Sequence, residues 1–143
     1  METELATKIS KATKLIESAL SQKHNVLQYF GLGKPPEEKL REGINILKNV
    51  AHEYNKNNKK REYSDIMEYI ISLYDRLFSL TIDPEVRRSQ GVVIKELIEY
   101  YKINDTSKVN ELSKKYVKIC RQSDNSFIAM KAYCGLVINK LRY

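Results

Sequence analysis

The chain has little of what folds use to turn, cross-link or bind metals. Its 143 residues include two cysteines, two histidines, three prolines, five glycines and no tryptophan. So few glycines and prolines argue against an all-β chain, which would need many turns. Two cysteines are too few for a disulfide scaffold. If the last two expected helices form a hairpin turning near Ser123, Cys134 lies about nine residues beyond the position facing Cys120, roughly 13 Å at 1.5 Å per residue. That exceeds disulfide reach, so both thiols are expected to be reduced and mostly packed. There is no run of about 18 apolar residues to span a membrane. The opening METELATKIS carries acids and lacks the apolar stretch of a secretory signal. A cytoplasmic protein without a membrane partner is expected.

The scarcity of histidine also bears on chemistry. A metal site wants several His, Cys or carboxylate ligands converging, and neither His24 nor His52 has a His or Cys neighbour at such spacing. A cysteine nucleophile would need a nearby histidine and a lowered thiol pKa, which nothing in the sequence provides. Gly31-Leu32-Gly33 lacks the third glycine and the preceding strand of a phosphate loop. No catalytic, metal-binding or cofactor-binding residue is expected, and no small-molecule substrate is evident.

What is present is helical periodicity. With 42% hydrophobic and 30% charged residues, the composition is that of a globular protein, and the length fits a single domain over 1–143. Leu5, Ile9, Ala12, Leu15, Ile16 and Ala19 recur at helical spacing. A short apolar extension (Val26, Leu27, Tyr29, Phe30) precedes the helix-breaking stretch Gly31 to Pro36. A second helix carries Leu40, Ile44, Leu47 and Ala51, then runs out in a polar, flexible loop from Asn55 to Arg61. The third, about Glu62 to Leu80, is apolar over the widest arc and is expected to be central. Asp83-Pro84-Glu85 starts a fourth, with Val86, Val93, Ile94, Leu97, Ile98 and Tyr101 on one face. Gln90-Gly91 interrupts that face, which implies close backbone approach by a neighbour. A fifth, capped near Asp105, turns Val109, Leu112, Tyr116 and Ile119 inward. A sixth, capped near Ser123-Asp124, does so with Phe127, Met130, Cys134, Val137 and Leu141. The fold class expected is all-α, a compact bundle of five or six antiparallel helices.

The segment Lys48 to Tyr54 resembles the signature of the HEPN family, helical bundles that include ribonucleases. Their motif sets four to six residues between an Arg and a His, often with an Asn following that Arg. Here the basic residue is Lys48, followed by Asn49, with three residues between it and His52, one short of that spacing, and Arg41 lies eleven residues upstream. The departures leave the chain without the family's catalytic pattern.

Charge is the more informative signal. The net charge is +7; residues 1–83 hold 13 Lys/Arg against 12 Asp/Glu, whereas residues 84–143 hold 12 against 6. Such asymmetry points to a polyanionic partner. On the fifth helix Lys114, Lys118 and Arg121 fall within about 60° of one another, opposite the apolar face. Lys131 and Arg142 could extend that surface. Lys59, Lys60 and Arg61 form a cationic loop with Lys56. Arg87 and Arg88 occupy the first turns of the fourth helix, where the dipole disfavours cations unless Asp83 and Glu85 pair with them. Of ten tyrosines, Tyr69, Tyr100 and Tyr143 look least buried and are the better stacking or interface candidates.

These features lead to an expectation: a non-catalytic, basic helical subunit that binds the nucleic-acid backbone, RNA or DNA, with little sequence preference. Other protein subunits would join it in a larger nucleoprotein complex. In size and charge it is similar to the small helical subunits of CRISPR effector complexes and to replication accessory subunits. The alternative is a protein–protein adaptor without nucleic-acid binding, marked by an exposed hydrophobic patch.

Overall fold

The computed structural model describes residues 2–21 and 34–123. It is all-α: five helices cover 89% of the described residues, with no strand among them. They are α1 (Glu2–Ser21), α2 (Pro36–Lys56), α3 (Lys60–Thr81), α4 (Pro84–Tyr101) and α5 (Thr106–Gln122). The apolar extension at 26–30, His24, and the sixth helix with Cys134, Lys131, Arg142 and Tyr143 lie outside the described residues. The chain divides into two compact units, Met1–Leu80 and Thr81–Tyr143.

In the first unit α1 and α2 pack on each other. Leu5, Ala12, Ile16 and Ala19 are buried from α1, and Leu40, Ile44, Leu47, Val50 and Ala51 from α2. Gly43 sets how close the two helices come. A Cβ built there would lie 2.7 Å from Ile16 Cγ1 and 3.4 Å from the carbonyl oxygen of Ala12. The Lys39 ammonium donates to Ser18 Oγ at 2.9 Å, tying the same pair of helices together. α3 buries Tyr63, Met67, Ile70, Ile71, Leu73, Tyr74 and Leu77, the broad apolar arc expected of it.

The segment from Asn55 to Arg61, expected as a flexible loop, is instead a tight turn. α2 runs on to Lys56 and α3 begins at Lys60. Asn58 takes the left-handed conformation (φ 59°), which asparagine tolerates better than most residues. The Asn57, Asn58 and Lys59 amides donate to the Glu53, Asn55 and Tyr54 carbonyls, satisfying the last groups of α2.

In the second unit α4 packs on α5. Asp83 is extended and its carboxylate accepts from the Glu85 amide at 3.0 Å, with Pro84 at the first helical position. Asp105 caps α5 by accepting from the Lys108 amide at 3.0 Å. Gly91 faces Tyr116, whose Cε2 would lie 3.4 Å from an added Cβ, so the interruption at Gln90-Gly91 is where α5 comes close. The turn between α3 and α4 contains Ile82 with φ 49°, a conformation that a β-branched residue adopts only under constraint.

Candidate nucleic-acid interface

α5 is the most cationic of the described helices, and its inner face decides where its charges go. Leu112, Val117, Ile119 and Cys120 are buried on it, with Val109 and Tyr116 half-buried. The buried arc is thus turned toward Val117 and Cys120 relative to the face expected from Val109 and Tyr116. At 100° per residue, Lys114, Lys118 and Arg121 project from the opposite side. All three are exposed, and among the described residues none forms an ion pair. They span about 10 Å along the axis at 1.5 Å per residue. Glu111, also exposed, is the one acid within α5. Like charges three and four residues apart repel by a few tenths of a kcal/mol, a cost that bound phosphates relieve.

The remaining expected contacts fall into two groups. In the second unit Arg88 pairs with Glu85, as the local pairing anticipated. The Arg87 guanidinium donates to Gln90 Oε1 at 2.6 Å, and that amide is fully buried. These two arginines therefore serve α4 itself. In the first unit Lys56, Lys59, Lys60 and Arg61 are all exposed around the α2–α3 turn. Lys59, Lys60 and Arg61 cluster at the N-terminal end of α3, the positive end of its dipole.

Tyrosines divide as expected for α3: Tyr63 and Tyr74 are buried and Tyr69 is exposed. Tyr100 is half-buried, its ring meeting Tyr101 edge-on with centroids 5.2 Å apart. Lys48, the basic residue of the HEPN-like stretch, stands over the Tyr74 ring at 5.1 Å, while His52 is exposed. The cation there is engaged with an aromatic face rather than with the histidine.

Cys120 is free and buried. Burial pushes its thiol up, only partly opposed by the hydrogen bond with Tyr116. Tyr116 is raised as well, first by burial and then by the proximity of Cys120. A thiol held in its neutral form is a poor nucleophile. Among the described residues no group of three His, Cys, Asp or Glu side chains could hold a metal ion. No described helix is long and apolar enough to cross a membrane.

A cleft of about 440 Å³ opens between the start of α1 and the α2–α3 turn, lined by Leu5, Ala6, Ile9, Tyr54, Asn57, Lys59 and Glu62. Its walls come from segments some fifty residues apart, and no local pattern announces it. Neither a protein-family model, nor a curated protein, nor a solved structure matches the chain.

Proposed function

We propose that the chain is a non-catalytic, basic helical subunit that holds the backbone of RNA or DNA, working beside other protein subunits in a larger nucleoprotein complex. The observation that carries the reading is the exposed stripe Lys114, Lys118 and Arg121, facing away from the buried side of α5 and without ion pairs among the described residues. Lys59, Lys60 and Arg61 add a second cationic surface. Lys131 and Arg142 belong to the same proposal on sequence grounds. Arg87 and Arg88 contribute to the local field more than as free contacts, given their bonds to Gln90 and Glu85. The fold that would carry these surfaces is the compact bundle of five or six antiparallel helices expected from the short connections. Phosphate contacts of this kind position a strand without reading its bases.

The test is a fluorescence-polarisation titration with 20-nucleotide single- and double-stranded RNA and DNA at 50 and 200 mM salt. Wild type is compared with Lys114→Glu/Lys118→Glu/Arg121→Glu. Three neutralised phosphates predict roughly a 20- to 40-fold loss of affinity across that fourfold rise in salt. Micromolar binding with that slope, lost in the triple variant, is the expected outcome. Binding indifferent to the variant, or none to any of the four, overturns the reading.

A second reading has its own support. Ile103, Ile82 and Val92 are 88%, 74% and 67% exposed, more apolar surface than a purely ionic contact needs. A protein–protein adaptor would use these residues, and its binding would survive the triple charge reversal.

A further inference from the structure

We infer that the cleft beside the α2–α3 turn receives the base of one unstacked nucleotide, whose phosphate lies on Lys59 and whose exocyclic amine is read by Glu62. The inference rests on the reading of the chain as a nucleic-acid-binding protein and gives that reading a base preference. Three independent features of the first unit converge on it.

The first is space and lining. At about 440 Å³ the cleft lies within the roughly 300–1,000 Å³ of small-molecule sites. Leu5 and Ile9 give it aliphatic walls, and Tyr54, half-buried, gives it an aromatic one. Nucleobases bind single-strand-binding proteins by stacking on such rings.

The second is charge. Lys59, Lys60 and Arg61 are consecutive, exposed, and gathered at the positive end of a 22-residue helix. Cations there oppose the helix dipole. A phosphate at this edge relieves that conflict, as anions do at helix N-termini.

The third is Glu62, which lines the same cleft. A carboxylate at the edge of an anion-binding site discriminates. It accepts from an amino group such as cytosine N4 or adenine N6, and it repels the carbonyl edge of uracil. A fatty acyl chain would offer it no donor at all. The occupant that matches the apolar walls, Lys59 and the one lining carboxylate together is an amino-bearing base carrying a phosphate.

The test uses the full chain, methyl-labelled for NMR, with adenosine, cytidine and uridine monophosphates and with laurate as a lipid-like anion. Twelve-nucleotide oligo(A), oligo(C) and oligo(U) are titrated in parallel by fluorescence polarisation. Adenosine and cytidine monophosphates should shift the Leu5 and Ile9 methyl signals, with uridine monophosphate at least five-fold weaker. Oligo(A) and oligo(C) should bind about ten-fold tighter than oligo(U). Glu62→Gln, a conservative change at an exposed residue, should erase that difference. Tyr54→Ala should weaken oligo(A) five-fold or more. If the three oligonucleotides bind equally, if Glu62→Gln keeps the preference, or if laurate or uridine monophosphate shifts Leu5 and Ile9 as strongly, the inference is overturned. Loss of all binding in the Lys114/Lys118/Arg121 variant, with Tyr54→Ala unaffected, would overturn the base site and leave the backbone reading standing. If no oligonucleotide binds, the backbone reading fails, and unmoved Leu5 and Ile9 methyls with every mononucleotide would remove the cleft as well.

Discussion

Replacing Gly43 with alanine removes a helix-weakening glycine, which in an open helix stabilises by about 1 kcal/mol. At this position the new methyl carbon would sit 2.7 Å from Cγ1 of Ile16, well inside van der Waals contact. Ile16 is itself only 1% exposed, and the clashing atom is near its backbone rather than at its flexible end. Overpacking of a tight core typically costs about 1–3 kcal/mol. Set against the propensity gain, the net expectation is a loss of up to about 2 kcal/mol, centred near 1. In urea, with a slope near 2 kcal/mol per molar, the midpoint falls by about 0.5 M. The mechanism is checked by a double-mutant cycle with Ile16→Ala. That change alone costs about 2–5 kcal/mol by leaving a cavity, and the added methyl at 43 should recover about 1 kcal/mol of it. A Gly43→Ala protein more stable than wild type, or a cycle with no coupling, would refute the close approach of α1 and α2 at this point.

Gly91 predicts the opposite sign: a Cβ there meets Tyr116 at 3.4 Å, at the edge of ordinary contact. Gly91→Ala should therefore be neutral or stabilise by up to about 1 kcal/mol in the same urea assay. Ile82→Asn should stabilise by about 1 kcal/mol, because a left-handed conformation costs a β-branched residue roughly 1–2 kcal/mol and this side chain is 74% exposed. An unchanged thermal midpoint would show that the corner is not strained. Cys120 has a folded thiol pKa raised above its unfolded value, chiefly by burial, so the folded state prefers the protonated form. Its contribution to stability is complete below the unfolded thiol pKa, near 8.5, and is lost as pH rises through the folded value. The urea midpoint should thus decline above about pH 8.5, and less so in Cys120→Ala. Tyr116, also raised, acts in the same direction at higher pH.

Helices were legible where the apolar period was long and the caps were explicit. Asp83-Pro84 and Asp105 mark helix starts in the letters themselves, and both cap as their chemistry requires. The all-α class follows from such signals. The rotation of α5 was less legible: Val117 and Cys120 are buried while Val109 and Tyr116 are only partly so. A helical wheel ranks residues by polarity, but which flank of an apolar arc is covered depends on the neighbouring helix. Gly91 is legible as a close approach because it interrupts an apolar face; Gly43 shares the face of Leu40 and Leu47, but nothing local shows that Ile16 of another helix presses against it. The cationic stripe of α5 could be read from spacing alone. The cleft of Leu5, Tyr54 and Lys59 could not, since its chemistry exists only once distant segments meet.

The hydrogen-bonded turn at Asn57, Asn58 and Lys59 has a thermodynamic consequence. A cationic arm that orders only on meeting its ligand loses about 1–2 kcal/mol of backbone entropy per residue at that moment. In this turn the left-handed Asn58 and three amide–carbonyl bonds have fixed the backbone at folding, so contact with an anion need restrict only the lysine and arginine side chains. Calorimetry of an anion on this edge should then show no entropy deficit from chain ordering. Inserting glycines after Asn58 should weaken association through entropy alone, with every charge retained.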